Sequence, residues 1–336
     1  MLYDISCAKK TIYLETFRFE NDHIGIKFKN YLAKRAREGV RIMLMMDDWG
    51  TSVNKKFFKE LIEVSGHVLF FKKLRLSYNF FLTNHERNHR KLLIIDEQIV
   101  YISSNNITNY NLNWREISLR LEGRISLIFS FTFMRNWNLK NTYKFKKASH
   151  IQIIKDGNFE IIRDVPSVRY QKMREKLIHM IKQSGNGIIL ETPYFLPTYR
   201  LMDALIKAAR RGVKITLILP KHSDVRTADI LRNHYLGRLH LTGINIQYYL
   251  PSNLHSKLAL IDDQFYIGSS NLDYRSFRYM FEIGLFGDES DLWNKLKQHT
   301  LETLSECESF NYDEWSKRGK TTKLLERLLL PFKHFF

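Results

Sequence analysis

At 336 residues the chain is too long for one small core, and 44% hydrophobic residues with 23 Phe and 17 Tyr exclude a disordered polypeptide. The 53 Lys and Arg against 35 Asp and Glu leave a formal charge of +18, which disfavours cationic partners and favours a polyanion, either nucleic acid or an anionic membrane surface. The two cysteines, Cys7 and Cys307, lie far apart, which excludes a disulfide framework and a Cys-based metal pair and makes a reducing compartment the expectation.

In chain order, the opening stretch MLYDISCAKKTIYLE has no continuous apolar segment behind a basic start, so no secretory signal is expected. Short β-rich runs follow at 11–16, 41–46, 67–72, 91–95, 98–103 and 117–121. Many are apolar on consecutive residues, the pattern of strands covered on both faces. Between the first two lies a helix-period stretch that stops at Gly39. Apolar segments such as Ile125–Phe133 are far shorter than the ~20 residues that span a bilayer, so no transmembrane helix is expected. The basic stretch KNTYKFKKASH, at 140–150, reads as a loop.

Beyond that loop the order of elements repeats. Ile12-Tyr13-Leu14-Glu15-Thr16 returns as Ile188-Ile189-Leu190-Glu191-Thr192. The basic turn ending in Gly39-Val40 returns at Gly212-Val213, each time before an apolar run. HRKLLIID at 89–96 returns as HSKLALID at 255–262. A period this long indicates two copies of one domain rather than a solenoid. The expected fold class is α/β: two homologous domains, 1–146 and 147–312, each a central mixed sheet flanked by helices, arranged as a pseudo-twofold pair. Residues 313–336 form a basic amphipathic tail.

The repeated motif is His-x-Lys-x-x-x-x-Asp: His89, Lys91 and Asp96, then His255, Lys257 and Asp262. On a strand, His and Lys two residues apart share a face, and the four apolar residues that follow bury the strand. Two histidines and two lysines suit a phosphodiester. One imidazole attacks phosphorus; the other protonates the leaving alcohol and deprotonates the incoming one. The ammonium groups oppose the negative charge that builds on the phosphoryl oxygens. Ser103, Ser104 and Asn106, with Gly268, Ser269 and Asn271 in the second copy, are placed to donate further hydrogen bonds. No metal or other cofactor is expected, because the lysines supply the positive charge a divalent ion would supply elsewhere.

These residues resemble the phospholipase D superfamily, in which HxKxxxxD occurs twice and a Gly-(Gly/Ser)-x-Asn segment follows. The similarity covers nearly the whole chain and is closest to the bacterial cardiolipin synthases. It is carried by Trp114-Arg115-Glu116 with Leu119-Arg120-Leu121-Glu122-Gly123, by Glu191-Thr192-Pro193-Tyr194-Phe195-Leu196-Pro197, by Leu219-Pro220-Lys221-His222-Ser223-Asp224, and by Asn271-Leu272-Asp273-Tyr274-Arg275-Ser276 with Glu282. The resemblance implies a phosphatidyltransferase working through a phosphohistidine, with His89 as nucleophile and His255 as acid/base, or the reverse. It implies that His89, Lys91, Asp96, His255, Lys257 and Asp262 are catalytic, with Asp96 and Asp262 the more structural. It implies a substrate-binding set of Ser104, Asn106, Glu116, Ser269, Asn271 and Glu282, in which Glu116 and Glu282 hold the histidines. Two departures stand out. Ser103-Ser104 occupies the place of two glycines, and the second copy has one residue fewer between the motif Asp and Gly268.

The same fold and site serve phospholipase D-type hydrolases and metal-independent nucleases, which stay as alternatives; the resemblance and the tail favour lipid over nucleic acid and phosphatidyl transfer to phosphatidylglycerol as the reaction. The tail mixes Lys and Arg with Leu, Trp and Phe, as interfacial helices do. The expected partners are phospholipids, phosphatidylglycerol among them, and an anionic membrane surface. The expected location is peripheral, on the cytoplasmic side of the cell membrane. Because the duplication supplies both half-sites, the chain is expected to act as a monomer.

Overall fold

The structure is a computed structural model that describes residues 1–72, 84–139 and 152–335. The loop expected at 140–150 lies outside the described residues. The chain divides into two compact units. One comprises Met1–Leu112, Ile117–Ser149 and Tyr279–Glu282; the other comprises Asn113–Glu116, His150–Arg278 and Ile283–Phe336.

In the first unit six strands form one sheet: β1 (Thr11–Thr16), β2 (Arg41–Asp47), β3 (His67–Phe71), and, after the two-residue β4 (Arg87–Asn88), β5 (Leu92–Ile95), β6 (Ile99–Ser103) and β7 (Ser118–Glu122). Their order is β3-β2-β1-β5-β6-β7. The first three run parallel, and β5 enters antiparallel to β1 with Leu14 opposite Leu93. One face packs Ile12, Leu14, Ile42 and Leu93 with Phe28, Leu32 and Ala33 of the helix His23–Arg37. That helix starts where the Asp22 carboxylate accepts from the Ile24 and Gly25 amides, and the chain turns out of it at Gly39, at φ 87°. On the other face Tyr13 stacks on Phe133 of the helix Arg124–Leu139, 5.2 Å between ring centres. Helices on both faces explain why β1, β2 and β5 are apolar on consecutive residues.

The second unit holds β8 (Gln152–Asp156), β9 (Phe159–Asp164), β10 (Gly187–Glu191), β11 (Phe195–Leu196), β12 (Lys214–Pro220), β13 (Asn245–Tyr249), β14 (Leu258–Ile261), β15 (Gln264–Gly268), β16 (Leu272–Asp273), most of β17 (Met280–Gly287), and β18 (Cys307–Ser309). The run β13-β12-β10-β14-β15-β17 repeats the order of the first sheet. The copy is extended: β18 is added beyond β13, and the β9-β8 hairpin beyond β17. Helices Lys172–Gln183, Tyr199–Arg210 and Arg226–His240 supply Leu177, Leu205 and Leu236 to its main core. Among the described residues no helix is long and apolar enough to cross a membrane.

The one-residue difference between the copies lies in the turn after the motif strand. Ile261 pairs with Gln264 across two turn residues, whereas Ile95 pairs with Ile99 across three. The added residue, Glu97, takes a left-handed conformation at φ 56°, as Asp96 does at 53°. The chain departs from the expected strand in one respect. Both motif strands start one residue past the lysine, at Leu92 and Leu258, so each His-x-Lys forms an extended entry to its strand.

The motif aspartates close these strands at their far ends. Asp96 accepts from the amides of Lys9, Lys10 and Thr11 at 2.6–2.8 Å. Asp262 accepts from those of Gly185, Asn186 and Gly187, each at 2.9 Å. Five residue steps of extended chain, about 16 Å, separate each from its motif lysine. Each aspartate thus sits in the turn at the far end of its motif strand, its carboxylate on three backbone amides. Burial raises the Asp262 pKa, and backbone donation from Gly187, Gly185 and Asn186 outweighs that, leaving it below the ordinary carboxylate value. Its stabilisation is therefore complete above the ordinary carboxylate range and is lost as pH falls through the lowered pKa. Asp262→Asn is expected to cost about 2 kcal/mol at pH 7, measured by urea unfolding, and the gap to wild type closes in acid. An equal gap at all pH values contradicts the assignment.

Candidate active site

In the first unit β4 delivers His89. The Asn88 amide donates to Asp47 (2.8 Å) and its side chain donates to Glu15 (2.7 Å). Both carboxylates are buried. Burial raises the Asp47 pKa to about 6, against Arg87 and the amides of Asn88, Gly50 and Trp49, which pull it down. β4 pairs in parallel with Met280 and Phe281 at the start of β17. The His89 amide then donates to the Phe281 carbonyl (3.0 Å), and the next residue, Glu282, lies 3.1 Å from His89 Nδ1. Arg90 Nε donates to the Glu282 carbonyl (3.0 Å). Lys91, 2% exposed, turns its ammonium back onto the His89 carbonyl (2.8 Å). Phe17 meets the imidazole edge-on at 5.2 Å.

The second unit repeats this arrangement with different neighbours. The His255 and Ser256 amides donate to the Arg115 carbonyl at 2.8 and 3.1 Å. The next residue, Glu116, lies 2.9 and 3.0 Å from His255 Nδ1 through its two carboxylate oxygens. Arg115 is anchored by Nε to Thr303 (3.0 Å) and by Nη2 to the His299 carbonyl (2.9 Å). Lys257 Nζ donates to the His255 carbonyl (2.6 Å), and Trp114 meets the imidazole edge-on at 5.4 Å. Ser256 Oγ donates to the buried Glu191, the repeat counterpart of Glu15.

Each histidine thus takes its carboxylate from the other repeat's sequence. Glu116 follows His89, and Glu282 follows His255, at identical spacing, so sequence alone points to pairing within a repeat. The carbonyl just before each glutamate holds the histidine amide, which fixes the carboxylate beside Nδ1. An imidazole bonded at Nδ1 presents Nε2 as the reacting nitrogen.

The remaining predicted residues brace the half-sites. Ser104 Oγ accepts from the Ile117 amide (2.9 Å), and Ser269 Oγ accepts from the Ile283 amide (3.0 Å). Asn106 Oδ1 accepts from the Arg18 amide (3.3 Å). Asn271 is buried, and its Oδ1 has no hydrogen-bond partner among the described residues. Gly268 cannot carry a side chain, since a Cβ there would lie 2.6 Å from the Ile283 carbonyl oxygen and 2.8 Å from the Tyr266 hydroxyl. At the matching place the Ser103 hydroxyl instead bonds Asn105, through its side chain (2.8 Å) and its amide (2.9 Å). Sequence reasoning missed Glu15, Glu191 and Asp47. The signal for the first two was present: an ionisable residue recurs at one place in an apolar strand of both repeats.

The crossed pairing has a direct test. A double-mutant cycle on His89→Ala and Glu282→Ala is expected to show about 1–3 kcal/mol of coupling in unfolding free energy. Coupling of His89 with Glu116 in place of Glu282 would contradict the assignment.

The family described as "Cardiolipin synthase, PLD-like domain" matches residues 1–136 and 177–303. The major cardiolipin synthase ClsA of Bacillus subtilis is 31% identical, covering 98% of this chain and 72% of the relative. A cardiolipin synthase of Listeria innocua is 30% identical with the same coverage. Among solved structures, the phosphatidylserine synthase of Haemophilus influenzae superposes with a TM-score of 0.79 over 100% of this chain and 92% of that one, at 12% identity. That likeness is one of fold. With the profile matching most of the chain and relatives at 30% identity along its length, the chain belongs to the PLD-like cardiolipin synthase family.

Proposed function

We propose that the chain transfers a phosphatidyl group to phosphatidylglycerol through a phosphohistidine. The observation that carries this reading is the repeated His–carboxylate pair, each imidazole held at Nδ1 by a buried glutamate. Membership of a family of cardiolipin synthases supports the lipid substrate.

In this reading His89 Nε2 attacks the phosphorus of the donor phospholipid. The phosphorus–oxygen bond to the headgroup breaks, and His255 gives its Nε2 proton to the departing alkoxide. A hydroxyl of phosphatidylglycerol then enters, and His255 takes its proton back as the new phosphorus–oxygen bond forms. The P–N bond breaks and His89 is restored. Glu282 and Glu116 stabilise each imidazole as it gains positive charge. Lys91 and Lys257 offset charge on the phosphoryl oxygens. The amides of Asn106 and Asn271 hold the phosphate, and Ser104 and Ser269 act through the strands they brace. The chain works as a monomer at the cytoplasmic face of a membrane, since one polypeptide carries both histidines.

Lipid extracts of cells expressing the chain are expected to gain cardiolipin, and the His89→Ala and His255→Ala variants to make none. Glu282→Gln and Glu116→Gln are expected to lower kcat about 10²-fold with little change in KM. Unchanged cardiolipin alongside histidine-dependent DNA cleavage in EDTA would replace this reading with a nuclease.

A further inference from the structure

The second unit carries a surface that the transfer chemistry does not use. The helix Lys320–Leu329 lies against the helix Arg226–His240, and the 3-10 turn Leu330–Phe335 continues it. Trp315 anchors this segment. Its indole N–H donates to the Asn233 carbonyl (3.2 Å), and its ring fills the space where a Cβ on Gly237 would stand. Arg318 lies over that ring and pairs with the buried Glu326 at 2.7 and 2.8 Å. Leu329 and Leu330 complete the inner face.

The outer face is as apolar as the inner one. Leu324, Leu328 and Phe332 follow one another at four-residue spacing and are 58%, 60% and 55% exposed; Leu325 lies beside them. At 100° per residue these four cover one arc, and Lys320, Lys323 and Arg327 edge it on one side. Residues 315–336 contain six Lys and Arg and a single acid, Glu326, which is paired inward. An exposed apolar arc bordered by cations, with its only carboxylate removed from the surface, complements an anionic lipid surface. A helix of ten residues is about 15 Å long, half a bilayer core, so it lies along such a surface rather than through it. Lys333 Nζ stands 4.7 Å over the ring of Tyr274, which ties the end of the segment to the second unit.

From this we infer that Leu324, Leu325, Leu328 and Phe332, with Lys320, Lys323 and Arg327, form an interfacial foot that seats the second unit on an anionic phospholipid membrane. The inference rests on the lipid reading above and adds the surface through which the substrate is met.

Flotation of the full chain with phosphatidylcholine vesicles, with and without phosphatidylglycerol, tests it. Wild type is expected to float with the anionic vesicles only. Binding is expected to fall about tenfold or more in Leu324→Ser/Leu328→Ser/Phe332→Ser and in Lys320→Glu/Arg327→Glu, with thermal unfolding unchanged. Wild-type flotation by the triple variant, or equal binding to neutral vesicles, would overturn the inference. So would a dimer in light scattering that the triple variant abolishes, since the face would then cover a second copy. His89→Ala keeps vesicle binding while losing transfer, so failure of the chemistry and failure of the foot give different results.

Discussion

Two buried imidazoles are each constrained at Nδ1 by a glutamate carboxylate. A histidine in an apolar setting costs free energy unless its ring nitrogens find partners, and a glutamate there costs more. His89 with Glu282 and His255 with Glu116 satisfy each other. The backbone sets each pairing, because the carbonyl before the glutamate accepts the histidine amide. That main-chain hydrogen bond keeps each glutamate's backbone beside its histidine. Tyr279–Glu282 belongs to the first unit and Asn113–Glu116 to the second. Neither repeat's own sequence completes its own histidine.

Around that constraint the sheets divide the acidic residues by role. Glu15 and Glu191 sit on β1 and β10, beside the motif strands, and take hydrogen bonds from Asn88 and Ser256. Asp96 and Asp262 stand at the other strand ends and tie down three backbone amides each. A four-residue strand keeps the two groups apart. The same Asp that marks the motif in sequence is thus a turn residue in space, while the carboxylates that touch the histidines lie outside the motif.

Much of this was legible in the residues. Consecutive apolar runs gave the central strands because both sheet faces are covered, and the duplicated His-x-Lys-x-x-x-x-Asp gave two equivalent half-sites. What stayed hidden is non-local. Equal spacing of Glu116 and Glu282 from their own histidines conceals the exchange. Among the described residues the strands β8, β9 and β18 have no counterpart in the first copy, so repetition offered no guide to them. The +18 charge favoured a polyanion without locating it; the structure gathers cations and exposed leucines on one helix, and turns Trp315, which composition groups with them, toward the body.

The proposed transfer is covalent and runs through one of these two histidines. Incubating the chain with phospholipid labelled in its phosphatidyl part, quenching at early times and mapping the modified peptide by mass spectrometry tests it most directly. Such transfer leaves an acid-labile adduct on His89 in the wild type, absent from His89→Ala and strongly reduced in His255→Ala, where the departing alkoxide finds no proton. Transfer without a histidine adduct in any variant would contradict it.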